Sequence, residues 1–139
     1  RVTVQHYWAD KETGDKLSKL DPSKIQIGFT NDGWTEDKSA ETTERNVFYY
    51  NSILKKGQTS TDFTDKISIS GDIATIVGQT SQTDDNGLTT ITTTYEYDGA
   101  SFVLEATVDA VQTHNAKDAI KSAWGVDVNI SDDGALSLE

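Results

Sequence analysis

The stretch Asn46-Val47-Phe48-Tyr49-Tyr50-Asn51-Ser52-Ile53-Leu54-Lys55-Lys56-Gly57-Gln58-Thr59-Ser60-Thr61-Asp62-Phe63 decides how the rest of this chain is read. Val47 to Tyr50 are all apolar or aromatic, with no polar residue to mark a solvent face. A run of this length and composition is a strand buried on both faces. Ile53-Leu54 form a second apolar pair, Lys56-Gly57 a tight turn, and a new element is expected to begin near Thr59.

Period-two alternation extends outward from it in both directions. Val2, Val4, His6 and Trp8 share one strand face, and Ile25, Ile27 and Phe29 form a second set behind Pro22. Ile67 with Ile69 and Ile73 with Val77 give two more. Thr89 to Tyr97 is made of strand-forming threonine, isoleucine and tyrosine. Asp84-Asp85-Asn86-Gly87 before it is a strong turn signal, so residues 73–97 read as a hairpin. Phe102, Leu104, Ala106, Val108 and Ala110 give the longest strand.

One helix interrupts this pattern. Ala116, Ala119, Ile120, Ala123 and Trp124 recur at helical spacing behind Asn115 as N-cap, and Gly125 stands at the C′ position. So short a helix holds only when its apolar stripe packs on a sheet. Val126 to Ile130 return to strand, and Asp132-Asp133-Gly134 turn into a last segment around Leu136. Residues 10–23 and 31–45 are polar and read as surface loops. The fold class expected is all-β, a jelly-roll-type antiparallel β-sandwich with one short helix near residues 116–124. Its core should include Ile25, Ile27, Phe29, Val47, Phe48, Leu54, Ile67, Ile69, Phe102, Leu104, Val108, Ile120 and Trp124.

With 139 residues the chain is a single domain, 1–139, large enough to bury about 70% of its unfolded surface. It has no cysteine, so disulfides, zinc-thiolate sites and a cysteine nucleophile are excluded. A net charge of −11 repels phosphate backbones and anionic lipid, which argues against nucleic-acid and membrane partners. No run approaches the roughly 18 apolar residues of a membrane span. Methionine is absent even at position 1, so the expectation is a processed or truncated chain without its signal peptide and an upstream strand segment.

Catalytic patterns are sparse. The two histidines, His6 and His114, are not in an H-E-x-x-H setting, and no serine lies in G-x-S-x-G. No catalytic residue and no cofactor is expected. Asp84, Asp85, Asp132 and Asp133 are weak calcium candidates; turn chemistry explains both pairs without a metal. Trp34, Tyr49 and Tyr50 could stack on a sugar ring, a reading that requires Trp34 to be exposed. Otherwise these aromatics are core or cross-strand pairs.

The aromatic run followed by Ile53-Leu54, Gly57, Thr59, Thr61 and Phe63 resembles the TasA/camelysin-like family of Gram-positive exported proteins. Further landmarks similar to that family are Arg1-Val2-Thr3-Val4, the loop Leu20-Asp21-Pro22-Ser23-Lys24-Ile25, Trp34, and Glu105 to Thr113 leading to Ala123-Trp124-Gly125. The likeness touches most of residues 1–125 through short motifs. It implies a secreted, non-catalytic cell-surface or biofilm-matrix structural protein that assembles into fibres with copies of itself or related subunits. The peptidase classification of some camelysin relatives is not carried over, because no protease ligand set is recognisable here. A sandwich lacking an early strand presents an open edge, and strand addition fills such edges. The edge residues expected are Val2, Val4, Thr89, Ile91, Thr93 and Tyr95. The alternative is a monomeric surface adhesin or carbohydrate-binding module, with a glycan or a host protein as partner.

Overall fold

The computed structural model describes all of residues 1–139. Strand β1 (Val2–Asp10) is followed by a 3-10 turn at Pro22–Lys24, β2 (Ile25–Phe29), β3 (Trp34–Glu36) and β4 (Arg45–Tyr50). Next come β5 (Thr64–Ile69), a second 3-10 turn at Gly71–Thr75, then β6 (Val77–Thr83), β7 (Thr89–Tyr95) and β8 (Ala100–Val108). Helix α1 (Ala116–Trp124), β9 (Val128–Ile130) and β10 (Leu136–Leu138) complete the chain.

β1 and β4 organise the molecule. The main sheet has the order β3-β4-β1-β8, and every neighbour pair in it is antiparallel. Val2, Val4, Trp34 and Phe48 form a buried cluster against which Ile27, Phe29, Phe63 and Leu104 pack. The β2–β5 pair therefore lies over one face of the main sheet, making a β-sandwich. Phe29 meets Phe48 at 4.4 Å between ring centroids, and Phe63 meets Trp34 at 5.9 Å.

The opposite face is closed by the helix. Tyr49 packs against Trp124 with centroids 5.6 Å apart, and Ile120 and Val128 are fully enclosed. Alternate residues of β4 thus point into two different apolar layers, which is why Asn46 through Tyr49 are all buried. That is the strand buried on both faces that the opening run predicts. The helix ends as its sequence dictates: Gly125 takes φ 75° and its N–H donates to the Lys121 carbonyl. Asn115, by contrast, sits at φ 52° and makes no side-chain cap bond, so its capping role is not realised.

Several expectations are corrected. Residues 31–45 contain β3, because Trp34 is drawn in by Tyr50 and Phe63. Ile73 lies in a 3-10 turn rather than a strand, and the strand after Gly57 starts at Thr64 instead of Thr59. Leu54, Ile67, Phe102 and Val108 are exposed rather than core. For Phe102 and Val108 on β8 the physical reason is coverage: the second layer has only two strands, too narrow to roof the main sheet. Ile67 lies on β5, in that second layer, and Leu54 in the loop before it. No helix is long and apolar enough to cross a membrane.

Candidate functional site

The features that stand out chemically are two open strand edges and an apolar groove. β8 pairs with β1 along its whole length and with nothing on its other side. The ladder direction follows from its ends, where Asp109 N–H donates to the Arg1 carbonyl and Lys11 N–H to the Gly99 carbonyl. In an antiparallel pair, backbone groups alternate toward and away from the partner. Phe102, Leu104, Ala106 and Val108 therefore turn their N–H and C=O groups outward, to the open edge.

Their side chains belong to the sandwich face, since they pair with Trp8, His6, Val4 and Val2. Over β1 that face is roofed by β2. The start of β2 is anchored near Trp8, whose Nε1 donates to the Asp21 carbonyl at 2.9 Å. Over β8 the roof stops. Phe102 remains 46% exposed and Val108 74%, whereas Val2 and Val4, opposite Val108 and Ala106, are sealed. An unpaired backbone edge and an uncovered apolar face coincide on one strand.

The second open element is the β6–β7 hairpin, which pairs with no other strand. Every residue of both strands is exposed. The bonds Glu96 N–H to Ile76 C=O and Asp84 N–H to Leu88 C=O set its ladder. They direct the backbone groups of Thr89, Ile91, Thr93 and Tyr95 away from β6. Neither strand carries a charged side chain, in a molecule of net charge −11. Lysines and prolines, the usual blunting devices of an edge, are absent from β6, β7 and β8 alike.

Val2 and Val4 do not belong to an edge: β1 is hydrogen-bonded to β4 on one side and β8 on the other. This corrects the sequence expectation, and the cause is that β4 returns to pair with the start of β1. Trp34 is also corrected as a sugar platform. It is buried, its Nε1 donates to the Thr61 carbonyl at 3.0 Å, and its ring packs on Tyr50 and Phe63. Tyr49 is buried beneath Trp124, and Tyr50 is half-buried.

A groove of about 480 Å³ opens at the end of the main sheet, between α1 and the segment around Ile53 and Leu54. Trp34, Tyr50, Phe63, Val108, Val111 and Trp124 are among its lining residues. Arg1 and Asp109 stand at it as an ion pair of 2.7 Å, with the guanidinium 5.1 Å from the Trp124 ring centre. A polar cleft lies elsewhere, on the opposite rim. There Lys16 pairs with Glu44 at 2.5 Å, and the Tyr7 hydroxyl donates to Glu105 at 3.2 Å. The Arg45 guanidinium, also at this cleft, donates to the Ala40 carbonyl.

The aspartate pairs serve turns. Asp84 Oδ1 accepts from the Asn86 and Leu88 N–H groups, and Asp133 Oδ1 accepts from Ser131 Oγ and the Ala135 N–H. The latter bonds hold the Asp133 carboxyl below its usual range. No group of three or more His, Asp or Glu side chains is placed to hold a metal. His6 faces the sandwich interior with Nδ1 unpartnered, and burial lowers its pKa. His114 is exposed just before α1.

The sequence reading missed Phe102, Ala106 and Val108 as edge residues. No local signal marks them, because Ala100–Val108 has neither the lysine nor the proline that usually blunts an edge and so reads as an inner strand. No protein-family model, curated protein or solved structure matches this chain.

Proposed function

We propose that this chain is an exported structural protein of the cell surface or extracellular matrix. It self-associates by β-strand addition and grows into fibres with copies of itself or related subunits. The observation that carries the reading is β8: a nine-residue strand with one edge unpaired and its sandwich face uncovered. Such an edge is a template for a further strand unless it is blunted. An added strand satisfies backbone groups and brings side chains onto the bare apolar face in one step.

The family resemblance read from the aromatic run and the Glu105–Trp124 region supports the same class, and on it rest the extracellular location and the matrix role. Completion of a jelly roll would add strands beside β2 and β8, the two places where the sandwich is narrow. The glycan-binding alternative loses its principal support with Trp34 packed beneath Tyr50 and Phe63.

Multi-angle light scattering and electron microscopy across a concentration series test the proposal. Oligomers or fibres that grow with concentration are expected. They should grow further with added salt, because screening weakens the repulsion between chains of charge −11. A monomer at every concentration and ionic strength would overturn it.

A further inference from the structure

We infer that the occupant of the β8 edge is the β6–β7 hairpin of a second copy of this chain, laid antiparallel with β7 against β8. The inference rests on the self-association reading and names its two surfaces.

Parity fixes which faces of the two strands can meet. In antiparallel pairing, residues that turn their backbone groups toward each other stand directly opposite, and their side chains share a face. On β8 the outward residues carry the bare sandwich-face side chains. On β7 the outward residues include Ile91 and Tyr95, which are 65% and 53% exposed. Pairing the two edges therefore puts Ile91 and Tyr95 on the same face as Phe102 and Val108, with no freedom to do otherwise. One register with this parity sets Ile91 opposite Ala106, Thr93 opposite Leu104 and Tyr95 opposite Phe102. That register also brings Leu88, 68% exposed, beside Asp109 at the rim of the apolar groove.

Charge favours this contact over others between copies. Two chains of net charge −11 repel, and the hairpin strands are a sizeable surface with no charge on them. On β8 the only charged residue is Glu105, whose side chain points to the other face and holds the Tyr7 hydroxyl. The hairpin also lacks any apolar layer of its own, and a lone two-stranded hairpin is marginal in water.

The donor is a second copy because the root of the hairpin is pinned. Tyr97 packs edge-on against Trp8 at 5.0 Å, and its hydroxyl accepts the Asp21 N–H at 3.1 Å. With the root held there, β7 makes no ladder with β8 of its own chain. An exchange of hairpins between copies satisfies both edges, and closes as a symmetric pair or propagates as a fibre.

Two proline substitutions test this on the full chain. Thr93→Pro and Ala106→Pro each delete an outward N–H while leaving the inner ladder bonds to β6 and β1 intact, a position proline tolerates. Near-UV circular dichroism checks that both variants fold. Sedimentation velocity is expected to show each variant self-associating about tenfold or more weakly than wild type. An equimolar mixture should form a one-to-one complex, because one variant keeps a working edge and the other a working hairpin. Wild-type-like association of Thr93→Pro would overturn the hairpin as occupant and leave strand addition by another segment. A mixture that associates no better than its components would overturn the exchange between copies. A wild-type chain that stays monomeric would overturn both this inference and the self-association on which it rests.

Discussion

β4 and β7 are both strands of strong propensity, and they meet opposite fates. β4 is sealed between the β2–β5 layer and the helix, so that Phe48 is 1% exposed. β7, built from threonine, isoleucine and tyrosine, has no buried residue. β4 is hydrogen-bonded on both sides, to β1 and β3, and β7 on one side only, to β6; because water is the alternative partner of an open edge, this is the lesser difference for the stability of the monomer. The greater one is whether another layer lies above the side chains, and it is this burial that supplies most of the favourable free energy. Strand propensity marks where a strand forms, while the layers around it decide whether it supports the monomer or remains available to a partner.

The largest effect that sharpens the contrast comes from the sealed side. Phe48→Ala is expected to cost about 3–5 kcal/mol by urea denaturation, because it empties the centre of the sandwich where Phe29 and Phe63 converge. Next is Gly33→Ala. Gly33 has φ +73°, and an added Cβ would lie 3.1 Å from Thr61 Oγ1 and 3.3 Å from the Tyr50 ring. Thermal denaturation should register a loss of about 1–2 kcal/mol.

A smaller effect depends on pH. Burial lowers the pKa of His6 below 6.5, opposed in part by the Glu44 charge and the backbone bond to Thr43. The unfolded chain binds a proton near 6.5 that the folded chain resists, so stability is full above that value and falls as pH drops through it. The Tm should decline between pH 7 and pH 5, and His6→Phe should flatten that slope. The depressed carboxyls of Asp10, Asp21 and Asp72 titrate below 3.8 and act only at lower pH. Smallest of all, Ile91→Lys on the exposed hairpin should change monomer stability by no more than about 0.5 kcal/mol. A change of several kcal/mol there would break the comparison, since it would mean that β7 already has a layer above it in the monomer.

Much of the fold is legible in the sequence because it is locally encoded. The helix occupies residues 116–124 as its apolar spacing and Gly125 require. The hairpin closes at Asp84–Gly87 because Asp84 caps its own turn. The unpatterned run at Val47–Tyr50 reads directly as burial on two faces. What is not legible is coverage. Phe102 and Val108 look like core residues by alternation, and nothing nearby in sequence says that β2–β5 stops short of them. Nor does β1 announce that it is an inner strand, since Val2 and Val4 acquire their second neighbour only when β4 returns. Trp34 sits in a polar stretch and is drawn inward by partners sixteen and more positions away. These are long-range facts about layer width, which period-two patterning does not encode.

The most direct test of the account is amide hydrogen exchange by mass spectrometry at low and high protein concentration. Residues 89–95 and 100–108 should exchange fast from their outward N–H groups in the dilute chain and gain protection together as association proceeds. Residues 45–50 should be protected at every concentration. Association with unchanged protection in both segments, or with protection gained elsewhere, would contradict the claim that these open edges are where copies of the chain meet.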